Sequence, residues 1–193
     1  MTATIEAPNI AVLCRPLANR RVRLDPITEA HREPLRAACA ADRAIWDIYS
    51  TCLVDDHFDP QFDAKLAGAG GQFAYAVLDG DTVVGCTGFY SIEPANRAVA
   101  IGHTYLAPSA RGGDVNMAMK GLMIGHAWAC GFQRIHFDVD TRNTRSIAAV
   151  KKLGATHEGT LRRNKITWTG FVRDTAILSL LPGEESAALK VWL

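Results

Sequence analysis

Hydrophobic and polar positions along this chain follow two periods, and the order in which the periods alternate outlines a fold. RRVRLDPI (20–27) has the two-residue rhythm of a strand that Pro26 ends. From Thr28 to about Tyr49 the apolar residues Leu35, Cys39 and Ile45 mark a helix, with Thr28 as its N-cap. A turn-rich stretch, a short helix over Gln61 to Ala67 and the connector Gly68-Ala69-Gly70-Gly71 come next. FAYAVLDGDTVVGCTGFYSI is a hairpin of two β-rich runs about the turn Asp79-Gly80-Asp81. A strand from Arg97 to Leu106 then enters the turn PSARGGDVN.

The period lengthens after that turn. Met119, Leu122, Met123, Ala127 and Cys130 form one apolar stripe, as on a helix docked against a sheet. RIHFDVD (134–140) is a strand, and a second helix opens at Asn143 and closes at Gly154, a natural left-handed C′ residue. A strand beginning at Thr156, a last strand over 172–181 and a short helix after Pro182 complete the chain. Residues 1–19 read as a leader without a strong period. No repeat or composition break divides the remainder, so 20–193 is expected to form a single α+β domain.

Composition narrows the class. The 193 residues are 48% hydrophobic and 21% charged, with a formal net charge of +1 and the charges dispersed, which supports neither a nucleic-acid nor a membrane partner. No apolar run reaches the ~20 residues of a membrane helix. Five cysteines stand far apart without a CxxC pair, as expected of reduced thiols in a cytoplasmic protein. Six scattered histidines lack metal-ligand spacing, so no metal is expected.

The candidate chemistry gathers between Ala100 and Arg163. A strand that feeds a glycine turn at a helix N-terminus aims several backbone N–H groups at one point, where the helix dipole adds positive charge. Such a turn suits phosphate. Taken alone, PSARGGDVN is equally well read as a plain connection, and Asp114 would compete with an anion for the same N–H groups. Asn143 and Ser146 stand three apart at a helix start and share a face; Asn143 is also a natural N-cap.

The order of elements, together with YLAPSARGGDVN, DTRNTRSIAAVKKLGA, HEGTLRR, VRDT and the opening RRVRLDPIT, resembles the GNAT (GCN-related N-acetyltransferase) superfamily. Within it the sequence looks most like the branch of RimJ/RimL-like ribosomal-protein alanine N-acetyltransferases. The resemblance covers roughly residues 20–181. It implies an α+β GNAT fold, a mixed, strongly twisted six- to seven-stranded sheet flanked by helices and splayed between its fourth and fifth strands. Acetyl-CoA would lie in the gap as acyl donor, with no metal.

On this resemblance the backbone at Tyr105 and Leu106 would receive the thioester and pantetheine. Arg111, Gly112, Gly113, Asp114, Val115 and Asn116 would form the pyrophosphate loop. Asn143 would bond the pantetheine arm, and Ser146 would stand near the sulfur as proton donor. Glu158 would take the ammonium proton, directly or through water; an ion pair with Arg162 or Arg163 is the competing role. Two positions depart from the pattern: Asp114 stands where the second loop glycine is usual, and Ala118 where near relatives carry Glu.

The acceptor would be a primary amine, a protein N-terminal α-amine or a small molecule. An α-amine near pKa ~7.7–8.0 is partly neutral at cellular pH and needs little base. Trp46, Tyr49 and His103 are candidates for the acceptor's wall. Asp47, Asp55, Asp56, Asp59 and Asp63, interleaved with His57 and Phe58, suggest an acidic, aromatic wall for a cationic substrate, or a solvated acidic surface. Two other functions fit the same fold: a non-catalytic acyl-CoA-binding regulatory protein, suggested by Asp114 and Ala118, and a transferase of another acyl or aminoacyl group. The resemblance also allows a homodimer, and the final LKVWL can pack on the domain or on a partner subunit.

Overall fold

In the computed structural model, which describes residues 6–193, one mixed sheet carries the whole chain. Its strands are β1 (Leu17–Ala18), β2 (Arg23–Pro26), β3 (Phe73–Asp79), β4 (Thr82–Glu93), β5 (Ala98–Leu106), β6 (Arg134–Asp140), β7 (Thr156–Ile166) and β8 (Val172–Leu180). They lie in the order β1-β2-β3-β4-β5-β6-β8-β7. All neighbours are antiparallel except β5 and β6, which run parallel and pair only over Ala98–Ala100 and Arg134–His136. Beyond those residues the two strands part. The expected splay is present, one strand later than counted, because Leu17–Ala18 adds an edge strand and brings the total to eight.

That edge strand lies in the stretch read as a leader. Leu13 is fully buried, and its carbonyl accepts the Tyr75 hydroxyl at 2.8 Å, so residues 6–19 are built into the fold. Residues 1–5 of the expected leader lie outside the described residues.

Side-chain alternation along β3 sorts the core into two layers. Tyr75 and Val77 join the cluster that holds α3 (Val115–Ala129), α4 (Thr144–Lys151) and α5 (Ala187–Lys190). Ala74, Ala76 and Leu78 face α1 (Arg32–Ala40), α2 (Phe58–Leu66) and the 3-10 turn Ala44–Ile48. The C-terminal LKVWL packs on its own domain: Leu189 is fully buried, and the Trp192 Cβ lies 2.5 Å from where a Cβ on Gly121 would stand.

The helix expected over Thr28 to Tyr49 stops at Ala40. Thr28 caps a 3-10 turn, Glu29–His31, that leads into α1. The carbonyls that would continue the helix are taken by side chains from elsewhere: Tyr105 donates to Ala38 at 2.8 Å and Trp46 Nε1 to Cys39 at 3.3 Å. Tertiary capping overrides the helical period there.

Candidate active site

A cavity of about 490 Å³ opens where β5 and β6 part, and its walls come from both faces of the sheet. On one side stand the start of α3 and the face of α4; on the other stand the 3-10 turn around Trp46 and Tyr49 and the end of α2. From Ile101 onward the edge of β5 has no partner on β6 and borders this space. Two residues of β5, His103 and Thr104, form a bulge opposite Thr87, and His103 is held at φ 50°. A bulge with a left-handed non-glycine residue re-aims the strand locally, which is the device such sites use to point backbone groups inward.

The glycine turn supplies the first mouth. Gly112 has φ 80°, and neither Gly112 nor Gly113 has an atom within 4 Å of where a Cβ would stand, so the backbone there is open to a ligand. The Ala118 N–H bonds the Asp114 carbonyl at 2.8 Å, which leaves the N–H groups earlier in the turn without a partner inside the helix. Asp114 does not compete for them: its carboxylate turns away to Arg21 Nε at 2.8 Å and makes no cap bond. The Val115 side chain enters the core, while Arg111, Gly112, Gly113 and Asn116 line the cavity. Arg111 is fixed by the Leu106 carbonyl (2.7 Å) and Asp42 (2.5 Å), and one of its terminal nitrogens is buried without a partner.

Asn143 and Ser146 both line the same mouth. The Asn143 side-chain oxygen accepts the Ser146 N–H at 3.1 Å as a true N-cap, leaving its amide NH2 unused among the described residues. These residues fit a phosphate-bearing ligand: open glycines, free N–H groups and two polar side chains converge on one space.

A family model for the acetyltransferase (GNAT) domain matches residues 21–156. The chain belongs to the GNAT family. It is similar in structure to a probable GNAT-family acetyltransferase from Chromobacterium violaceum, at 25% identity over 95% of this chain and 94% of that one, with a TM-score of 0.87. A GCN5-related N-acetyltransferase from Brucella melitensis shares the fold at 23% identity over 97% and 87%, with the same TM-score of 0.87. Mycobacterium smegmatis RimJ, solved with CoA-disulfide, does so at 20% identity over 97% and 93%, with a TM-score of 0.75. No curated protein sequence matches the chain significantly. This GNAT protein is thus an acetyl-CoA-dependent N-acetyltransferase, and its family uses acetyl-CoA as acyl donor.

Of the expected site residues, Glu158, Asp114 and Val115 lie outside the cavity wall, while Trp46 and Tyr49 belong to it. Glu158 sits outside the cavity wall. It is bound by Arg134 at 2.7 and 2.5 Å and by the Ser179 hydroxyl at 2.8 Å, and these bonds, Arg134 first, hold its pKa near 2. A carboxylate so engaged is a poor base. It does form an ion pair, with Arg134 rather than Arg162 or Arg163. Trp46 is 1% exposed and mainly packs, stacked 4.7 Å from Tyr105. Tyr49 borders the cavity and donates to the Thr104 carbonyl at 2.9 Å.

The acidic wall is corrected as well. Asp59 and Asp63 pair with Arg32, Asp59 also with Arg36, and Asp55 with Arg43. None of the five aspartates lines the cavity, whose wall carries seven Lys or Arg residues against Asp138 and Asp140. Four of the seven, Arg111, Lys120, Arg145 and Lys152, belong to the glycine turn, α3 and the α4 segment; Lys65 from α2 and Lys165 from β7 bring cations to the second mouth.

His103 belongs to that mouth. Gln72 Nε2 donates to the Ala69 carbonyl at 3.0 Å, so its Oε1 accepts from His103 Nδ1 at 3.0 Å and leaves the His103 Nε2 lone pair free. The ring stacks on Tyr90 at 4.6 Å. Burial first, then Lys65 and Lys165, lower its pKa to about 3, so the imidazole is neutral.

The sequence reading gave no role to Lys120 and noted it only as a retained part of the family's local pattern. It is 5% exposed, donates to Thr104 Oγ1 at 2.8 Å across the splay and has no carboxylate partner; burial lowers its pKa to about 7. Its one sequence signal was a lysine interrupting the apolar stripe of α3.

Proposed function

We propose that this acetyltransferase moves an acetyl group from acetyl-CoA to a primary amine by direct attack, with both molecules held together in the cleft. The observation that carries the reading is a cavity open through the sheet, with a phosphate-suited helix start on one side and a neutral histidine on the other. Acetyl-CoA supplies the acyl group as an activated thioester. The remaining work falls to the chain: holding two reactants in line replaces a bimolecular encounter with a near-unimolecular one.

Arg111 to Asn116 and Asn143 would hold the diphosphate and pantetheine, with the backbone at Tyr105 and Leu106 beside the thioester carbonyl. The acceptor nitrogen bonds the acetyl carbon as the carbon–sulfur bond breaks; the nitrogen sheds one proton and the sulfur takes one. His103 Nε2 would be the open lone pair on the acceptor side; with its pKa lowered to about 3 it is a weak base, suited to accept a hydrogen bond from an α-amine that is already neutral. Ser146 on α4 and Lys120 on α3 would be the two groups to return a proton to sulfur. The resemblance to the RimJ/RimL branch supports a protein N-terminal α-amine as one acceptor. With Asp114 turned toward Arg21, a non-catalytic acyl-CoA-binding role loses its main sequence support.

Calorimetric titration with acetyl-CoA and CoA, followed by a thiol-release assay on N-terminal peptides, tests this. Micromolar binding and thiol release are expected. Absence of binding to either compound overturns the reading.

A further inference from the structure

We infer that the acceptor carries an anionic group, a carboxylate or phosphate within a few bonds of its amine, received by Lys65 and Lys165. The inference rests on the acetyl-transfer reading above and names the substrate class of the same site. Lys65 extends from α2 and is 8% exposed, yet it lines the cavity. Lys165 reaches the same wall from β7. Every ion pair among the described residues uses an arginine or a histidine, and neither lysine's ammonium has a hydrogen-bond partner among them. Two ammonium groups that reach one cavity with no ion-pair partner leave their charge available to an anionic ligand.

The two lysines act on one place. Both amines lower the pKa of His103, so their fields meet at the open imidazole. The wall's carboxylates offset them only in part: Asp140 is bound by Arg142 at 2.7 Å, and Asp138, hydrogen-bonded to His136 at 3.1 Å, acts on His103 in the opposite sense but less than either lysine. Lys65 also lies across the sheet from the glycine turn, because α2 packs on the layer opposite α3 and α4. An anion at this spot is therefore separate from the phosphates expected at the α3 mouth. The same field has a second effect: it draws in a carboxylate and pushes a nearby ammonium to shed its proton, giving the nucleophilic form.

The test compares matched acceptors in thiol release: a peptide with N-terminal Asp against one with N-terminal Asn, and free L-aspartate against L-asparagine amide. The expected result is an anionic preference of about tenfold in kcat/KM. It should fall to about twofold in Lys65→Met and in the exposed-site variant Lys165→Gln, with acetyl-CoA affinity unchanged. The peptide and free amino-acid arms tell a protein acceptor from a small one. Equal turnover of charged and neutral acceptors, or a preference that survives both substitutions, overturns the clamp. Where nothing turns over, the CoA-loaded protein is titrated with L-aspartate: heat lost in Lys165→Gln supports the clamp, and no heat refutes it. CoA binding in that experiment keeps the acetyltransferase reading separate from the outcome.

Discussion

The two mouths of the cleft are built by different means. The α3–α4 mouth is local: its glycine turn spans a few consecutive residues, and Asn143 and Ser146 share one helical turn. The α2–β7 mouth is assembled from distant segments, with Lys65, Gln72, Tyr90, His103 and Lys165 brought together only by the sheet. A diphosphate can be held by what one helix start offers, whereas selection among acceptors needs side chains placed one at a time. A common donor and a variable acceptor would be served by that division.

The largest effect should come from blocking the local mouth. Gly112→Val forces a β-branched residue to φ 80° and fills the open cradle. Acetyl-CoA affinity should fall by about 100-fold in calorimetry, while acceptor preference measured at saturating donor stays as it was. Unchanged donor affinity would mean that the phosphates bind elsewhere and that the two mouths are wrongly assigned.

Next is Lys120, which spans the boundary between the mouths. Lys120→Met should lower kcat by about 10–100-fold, because a proton donor is lost from the cleft. It should also stabilise the fold. With a folded pKa of about 7, below the ordinary lysine value, the unfolded chain binds more protons between about pH 7 and 10, so native stability rises with pH over that window. The variant lacks this cost and should exceed the native protein by roughly 4 kcal/mol near pH 7, with the curves converging above about pH 10. An equally stable variant across this range would remove the argument that Lys120 is kept for function at the expense of stability.

What was legible in the sequence follows the same division. Period and turn chemistry located the hairpin about Gly80, the stripe of α3, the cap at Asn143 and the left-handed Gly154, because each depends on neighbours within about one turn. The end of α1 was not legible: Tyr105 and Trp46 cap it from other elements. Asp114 was read as a competitor for the helix N–H groups and the aspartates near Asp55 as an acidic wall or a solvated surface; their partners Arg21, Arg32, Arg36 and Arg43 had no spacing that announced them. Glu158 was misplaced for the same reason, since Arg134 faces it from another strand.

Asn143 permits a finer separation of cap from ligand contact. Asn143→Asp keeps an oxygen for the Ser146 N–H but removes the amide donor that faces the cavity. Acetyl-CoA affinity should weaken about tenfold with the melting temperature nearly unchanged. Asn143→Ala should show a similar affinity loss together with about 1 kcal/mol of lost stability. If only the alanine variant bound the donor poorly, Asn143 would be a cap and nothing more.

The smallest effect is expected at Glu158, and its smallness is the informative part. A general base removed from an acetyl transfer costs ~100-fold or more in rate. Glu158→Gln should instead change kcat/KM by less than about twofold, since the carboxylate lies outside the cavity and is spent on Arg134. Its folded pKa near 2 lies below the unfolded value near ~4.3, so its stabilising contribution is complete above that value and is lost as pH falls toward 2. The pair is partly open to water, which limits the contribution to about 0.5 kcal/mol. Denaturation of the native protein and the variant should therefore differ slightly at pH 6 and coincide near pH 2. A large activity loss with no such convergence would return Glu158 to the reaction and take the base away from His103.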